Sequence, residues 1–520
     1  MSKSKVLIGV GGSGAKVLEA FTYLTIAGFP GTHISANPDV PDFYLRMVDT
    51  DKENGNYDRL CKLLDLFCKD DGLSSRFVGY SKGKGKNWEQ GRISHKSVTK
   101  TGDAHTVPSE FLWQIDLTKL ETLENMRDSL SEANDTARPS PLLAALYGQE
   151  DLAVPQTEGF HGRPRIGALR LQYEFEEDSK DGNLGFWNSL KDNNIFPHGQ
   201  TQLMFTGSIF GGTGASGIPT LVKRCRDSYF KGDSGSSLGM TLMLPYYLFS
   251  NLDKECPADP TQFRLNSKLA LLYYHNSELL GQLSNPSVYI IGQKVQTNMK
   301  TENSGQVSLH SGKAGQTNPA LPAELTAAIG IVDYFNNKKP GSEIRYCRVG
   351  DSAHDPLNLT LDFPYGKDLE TAINRLATFS LLWKIVSENR PDGKSDLFTY
   401  RGLTSIKREK SAQWVSVLND VDEFAKSALI WLLQLDANGT DLKWFRESYD
   451  SVIDFLSKVK RGEASFDSCD KKIGDRDITK WLKTIEKAID SVKVPRTDER
   501  EYLQLLYAVM SVCADRHRYN

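Results

Sequence analysis

An apolar run, Leu203-Met204-Phe205, stops at Thr206-Gly207-Ser208-Ile209-Phe210-Gly211-Gly212-Thr213-Gly214-Ala215-Ser216-Gly217. Apolar residues then resume at helical spacing through Ile218, Leu221 and Val222. That pattern predicts a strand, a tight loop and a helix. Glycines let the backbone approach a ligand closely and adopt φ > 0 without steric cost. The start of the helix offers unpaired N–H groups and a partial positive charge, both suited to phosphate. Thr213 and Ser216 add hydroxyl donors. The alternative is a glycine-rich turn that serves only to let helix and sheet pack closely.

A second loop of the same kind opens the chain. The short apolar strand Lys5-Val6-Leu7-Ile8 runs into Gly9-Val10-Gly11-Gly12-Ser13-Gly14, and the helix Ala15-Lys16-Val17-Leu18-Glu19-Ala20-Phe21 follows directly. Gly9, Gly11 and Gly14 match the dinucleotide fingerprint G-x-G-x-x-G. One such match is weak evidence, but two glycine loops at strand-to-helix junctions in one chain are much less expected by accident. Neither carries the Gly-Lys-Ser/Thr ending of a Walker A loop. Between them, the strand Phe43-Tyr44-Leu45-Arg46-Met47-Val48 ends in Asp49-Thr50-Asp51. Carboxylates at the C-terminal end of an early strand lie at the ligand crevice of an open α/β sheet. They serve there as contacts to a nucleotide's metal, water or sugar, or as the N-cap of the next segment. Asp49 stands 35 residues after Gly14, later than the roughly 20 residues of a Rossmann ribose acid.

The pair of loops resembles those of the tubulin/FtsZ superfamily. There a first-strand glycine loop and a Gly-Gly-Thr-Gly loop before a later helix clasp opposite sides of a guanine nucleotide's phosphates. Residues 9–14 look like the first, and residues 211–217 look like the second, the tubulin signature loop, with Phe210 departing from its usual all-glycine entry. The resemblance covers residues 1–390, with long insertions. It implies an α/β fold: a Rossmann-type parallel-sheet nucleotide-binding domain over 1–318 with an insertion at about 77–160, a central helix over 319–340, and a second α+β domain over 341–400. A helical region over 401–520 completes the expected organisation.

The same resemblance implies GTP or GDP as ligand, with Mg2+. The residues expected to hold it are Gly11, Gly12, Ser13, Gly14, Asp49, Thr50, Gly211, Gly212, Thr213 and Gly214. Asn266 joins them because it stands four residues before Ala270, a spacing like that of the division protein's sugar-contacting arginine. Gly162-Arg163-Pro164-Arg165 resembles a third nucleotide-facing loop, whose arginines either reach phosphate or sit on a surface turn. Glu324 either faces the base or answers the helix dipole in the first turn of its helix. Head-to-tail self-assembly is implied too, giving filaments unless the rotation closes. In the relatives an acidic residue just after the central helix completes the site of the next subunit. Here Asn336-Asn337-Lys338-Lys339-Pro340-Gly341 holds no carboxylate before Glu343. No catalytic acid and no metal ligands are therefore assigned, and GTP hydrolysis across the subunit interface stays open.

Elsewhere the pattern predicts strands over 238–244 and 287–291, and helices over 117–133, 261–280, 319–335 and 367–386. Residues 343–349 and 357–362 read as strands of a second sheet. Trp414, Val417, Leu418, Val421, Phe424, Ala425 and Ala428 keep helical spacing, and further helices are expected near 442–459, 477–493 and 498–516. An aromatic stripe of this kind reads as core packing more than as a binding groove, with docking of other proteins on this helical region as the alternative. The run Ser81-Lys82-Gly83-Lys84-Gly85-Lys86 is either a solvated loop or a grip for an acidic partner or nucleic acid.

With 520 residues the chain suits two or three domains. A net charge of −3 gives no general case for nucleic acid or an anionic membrane. The seven cysteines are scattered and form no C-x-x-C pair, which suits reduced thiols in a cytoplasmic protein. No stretch of about 18 apolar residues predicts membrane insertion. The nine histidines show no His-Glu-x-x-His pattern. Two rival functions remain: an NAD(P)-dependent oxidoreductase, favoured by the first loop, and a scaffold that keeps the fold for assembly with little or no hydrolysis.

Overall fold

The structure is a computed structural model. It describes residues 4–32, 43–51, 53–68, 93–94, 99–101, 104–106, 111–114, 121–126, 145–156, 159–180, 186–190, 196, 198–230, 235–248, 261–276, 287–293, 296–305, 307, 316–336, 343–349, 355–388 and 412–463. The expected helices at 477–493 and 498–516, the basic run at 81–86 and most of the 77–160 insertion lie outside the described residues.

Strand β1 (Ser4–Val10) leads into helix α1 (Gly11–Ile26), and β2 (Phe43–Asp49) into α2 (Gly55–Cys68). Short strands β3 (Ile93–Ser94) and β4 (Leu112–Gln114) precede helix α3 (Pro164–Lys180). Then come β5 (Thr201–Ser208), α4 (Thr213–Ser228), β6 (Ser237–Met243), α5 (Gln262–Asn276) and β7 (Ser287–Gln293). Helix α6 (Pro322–Asn336) and strand β8 (Glu343–Val349) follow, and then helices α7 (Gly366–Glu388), α8 (Ala412–Ala437) and α9 (Lys443–Lys460).

The strands form one eight-stranded sheet in the order β8-β7-β6-β5-β1-β2-β3, with β4 also pairing β2. Every pairing in it is parallel. Parallel sheets are covered on both faces, so their inner strands read as unbroken apolar runs. β5 and β6 are buried at every position, as expected of strands so placed.

One apolar cluster joins Leu7, Phe21, Leu45 and Met204 to α6, α7, α8 and α9. The other, on the opposite face, joins Val6, Ile8, Phe205 and Ile218 to Phe175 and Trp187. Helix α6 is predominantly apolar, and it is buried from Pro322 through Val332, with Glu324 and Thr326 among the buried positions. Such a helix has no solvent side and must lie between other layers.

Two expectations are corrected. Residues 343–349 form a strand, but β8 pairs in parallel with β7 and is the edge of the main sheet, not part of a second one. Its exposed and part-exposed side chains alternate because one of its faces lacks a full cover. Residues 357–362 form a short helix, Leu359–Asp362, because Asn358 accepts hydrogen bonds from the Thr360 and Leu361 N–H groups and caps it. Among the described residues, 341–400 therefore holds no second sheet. The described helices after residue 401, α8 and α9, share the main core: the Tyr23 ring on α1 lies 4.6 Å from Trp431 and 6.4 Å from Phe424 on α8. Among the described residues no helix is long and apolar enough to cross a membrane.

Candidate functional site

β1 lies between β2 and β5, so the chain builds the sheet outward in one direction and then returns to build it in the other. Open α/β sheets bind ligands at such a reversal, beyond the carboxyl ends of the strands. Both glycine loops leave their strands there, with Gly9 opposite Thr206 in register. A methyl group built on Gly11 would stand 3.2 Å from Thr213 Cβ and 3.5 Å from the Gly214 nitrogen. The loops therefore touch across the crevice. Gly11, Gly12, Ser13, Gly211, Gly212, Thr213 and Gly214 line one cavity of about 120 Å3, with Asp49 and Asp51.

Local chemistry explains why the helices start open. Among the described residues, no side chain caps the N-terminus of α1 or of α4. The first-turn N–H groups of a helix have no partner within it, and here both sets lie at the same cavity. Gly11 has φ +71°, which a residue with a side chain rarely adopts. Gly14 has a packing role instead: a methyl group there would fall 2.8 Å from the Gly9 carbonyl carbon and 2.9 Å from the Thr206 oxygen. Phe210 turns into an aromatic wall, with ring centroids 5.5 Å from Tyr247 and 5.2 Å from Phe263.

Asp49 ends β2 at this cavity, and Thr50 follows it. Asp49 Oδ1 accepts hydrogen bonds from the N–H groups of Thr50 (2.8 Å) and Asp51 (3.2 Å). Its Oδ2 is buried and has no hydrogen-bond partner among the described residues, and the same holds for Thr50 Oγ1. Burial, and then the negative charge of Asp51, push the Asp49 carboxyl up to about 7. A third turn closes another side of the cavity through Gly159, Phe160, His161 and Gly162. It is held close to the second loop, since a methyl group on Gly212 would lie 2.9 Å from the Phe160 carbonyl carbon.

Other singled-out residues are engaged elsewhere. The Asn266 amide donates to the carbonyls of Gly162 (2.8 Å) and Phe210 (3.2 Å), so it ties the third turn to the entry of the second loop. Arg165 pairs with Asp151, and Arg163 Nε lies 3.8 Å from the same carboxylate. These arginines line a separate, larger groove of about 970 Å3 between α3, α4 and α5. Glu324 is fully employed inside the protein. It accepts from the Tyr246 hydroxyl (2.7 Å) and the Leu321 N–H (2.9 Å), and it pairs with the buried Lys16 of α1. Asp333, near the end of α6, accepts from the hydroxyls of Tyr289 (2.7 Å) and Tyr365 (2.6 Å) and pairs with Arg345.

Sequence reasoning missed the amide side chains of Asn54, Asn56, Gln316 and Asn318, which line the same cavity. The only signal was the Asn-Gly-Asn turn after Asp51. Asn54 Nδ2 donates to Gln316 Oε1 (3.0 Å), and Asn56 Oδ1 accepts from the Asn318 N–H (2.8 Å). No cluster of three or more His, Cys, Asp or Glu side chains suited to a metal ion occurs among the described residues.

No protein-family model matches the chain, and no curated protein does. Among solved structures, it is similar to one described as CetZ1 from Haloferax volcanii, GDP-bound monomer, at 14% identity and a TM-score of 0.26. The match covers 55% of this chain and spans about half of that one (51%). Strand order and loop geometry carry the fold assignment.

Proposed function

We propose that the protein binds a nucleoside triphosphate or diphosphate in the crevice between residues 11–14 and 211–214, in the manner of the tubulin/FtsZ superfamily. The observation that carries this reading is the convergence of two uncapped helix N-termini on one cavity at the reversal point of the sheet. Unpaired N–H groups and aligned peptide dipoles favour a polyanion there. A space of about 120 Å3 suits phosphate groups. Whole-ligand pockets run to roughly 300–1,000 Å3, so sugar and base extend past the rim.

Guanine as the base and head-to-tail assembly follow from the sequence resemblance. The donor set also fits the accompanying cation. Mg2+ commonly takes one or two carboxylates with phosphates and waters, and Asp49 offers a buried Oδ2 without a hydrogen-bond partner among the described residues, beside Asp51. Asp49 and Asp51 would hold it, and bound there it would neutralise phosphate charge. This chain's own part is to present the first-turn N–H groups, with the Ser13 and Thr213 hydroxyls, to phosphate oxygens. Turnover is a separate matter, because Asp333, the carboxylate nearest the end of α6, is already held by Tyr289, Arg345 and Tyr365.

The test is titration of the full chain with fluorescent GTP, GDP, ATP and NADH, with sedimentation in the presence and absence of GTP. Saturable binding of GTP and GDP, with nucleotide-dependent sedimentation, is the expected result. Absence of guanine-nucleotide binding overturns the proposal, and polymers indifferent to nucleotide favour the scaffold.

A further inference from the structure

Asn56 is the group in this cavity whose bonding is conspicuously half complete. It is 1% exposed. Its Oδ1 accepts from the Asn318 N–H at 2.8 Å. An N–H must face an oxygen, so this contact fixes which way the carboxamide points. The NH2 end is thereby turned the other way. Asn56 Nδ2 is buried and has no hydrogen-bond partner among the described residues. A buried donor left unmade is costly, and native structures seldom keep one without a use.

The surroundings identify the missing acceptor. A methyl group built on Gly12, in the open first turn of α1, would lie 3.3 Å from Asn56 Nδ2 and 3.0 Å from Asn54 Nδ2. Two amide nitrogens and the start of a helix thus face the same point. The two nearest side-chain groups are donors, and the Asn54 Oδ1 behind them at 3.6 Å is already engaged by the Asn56 N–H, so the complementary ligand is an anion with several oxygen acceptors, which is the chemistry of a phosphate group.

The other end of Asn56 is equally informative. Besides the Asn318 contact, the Asn56 N–H is shared between Asn54 Oδ1 (3.0 Å) and the Gln316 carbonyl (3.2 Å). Arg59 donates to the Asn318 carbonyl at 3.0 Å. Residues 316–318 lead directly into α6, which begins at Pro322. One carboxamide therefore spans the cavity and the approach to the central helix.

We propose that Asn56 is a phosphate ligand, and that phosphate bound to its Nδ2 braces residues 316–318 at the entrance to α6. This deepens the nucleotide reading above and rests on it. Phosphate accepting from Nδ2 completes the carboxamide's bonding and holds its Oδ1 against Asn318. Loss of phosphate leaves that donor unpaired and weakens the hold on the segment.

The test uses the full-length chain and Asn56→Asp. This change keeps the oxygen that faces Asn318 and replaces the donor with a carboxylate that repels phosphate. Loss of one such contact weakens GTP binding about tenfold to a hundredfold. In the unmodified chain, hydrogen exchange at residues 316–325 slows on adding GTP but not guanosine, which has no phosphate. In Asn56→Asp, saturating GTP no longer slows it. Equal GTP affinity in both proteins overturns the ligand role while leaving the nucleotide reading intact. Protection by guanosine equal to that by GTP overturns the coupling, and this comparison needs no variant. Failure of the unmodified chain to bind GTP overturns both readings together.

Discussion

Asp49 gives the site a pH signature that can be measured without any ligand. Its carboxyl is buried, and one oxygen has no hydrogen-bond partner among the described residues. Burial and the neighbouring Asp51 raise it from 3.8 to about 7. The folded chain therefore holds this proton more tightly than the unfolded chain does. The associated stability is fully present below about pH 4, and it is lost as pH rises through the folded-state value near 7. At about 1.4 kcal/mol per pH unit, the interval from 3.8 to about 7 makes about 4 kcal/mol. Asn in place of Asp cannot titrate, yet its amide oxygen still accepts from the Thr50 and Asp51 N–H groups. Urea unfolding of both proteins from about pH 4 to pH 8 isolates the effect, because all other groups are shared. The wild-type stability minus that of Asp49→Asn falls by about 4 kcal/mol across that range. A difference that stays flat, or one that grows with pH, refutes the reasoning.

Other perturbations separate ligand residues from packing residues. Gly12→Ala places its methyl group against the amide side chains of Asn54 and Asn56 in the cavity; thermal unfolding barely moves, while nucleotide titration shows affinity down about tenfold. Gly14→Ala drives a methyl group onto the Gly9 and Thr206 backbones, and denaturant unfolding registers a loss of about 1–3 kcal/mol. Lys16→Met strips Glu324 of its buried cation and costs about 3–5 kcal/mol by the same measurement. Trp431→Ala removes the ring whose centroid lies 4.6 Å from that of Tyr23 and costs about 3–5 kcal/mol; a surface-like effect below about 0.5 kcal/mol would contradict the shared core.

The sheet was readable where the chain changes period abruptly. Apolar runs that stop at glycine, as at Gly9 and Gly207, mark buried parallel strands entering helices. The partner of a strand leaves no such mark. Residues 343–349 declare a strand by alternation, but nothing local says that β7 is its neighbour. At 357–362 the capping asparagine, Asn358, outweighs the apolar alternation that suggested a strand. In the site, the residues on glycine loops were visible because their spacing is unusual. Asn54, Asn56, Gln316 and Asn318 were not, since they come together only through bonds between segments some 260 residues apart. The spacing of Asn266 gives no hint that its amide closes a contact between loops.

The most direct test of the phosphate crevice is an experimental structure of the full chain with a non-hydrolysable GTP analogue. The phosphates are expected between residues 11–14 and 211–214, within hydrogen-bonding reach of both helix N-termini. A nucleotide bound elsewhere, or a crevice that stays free of it at saturating concentration, contradicts the account.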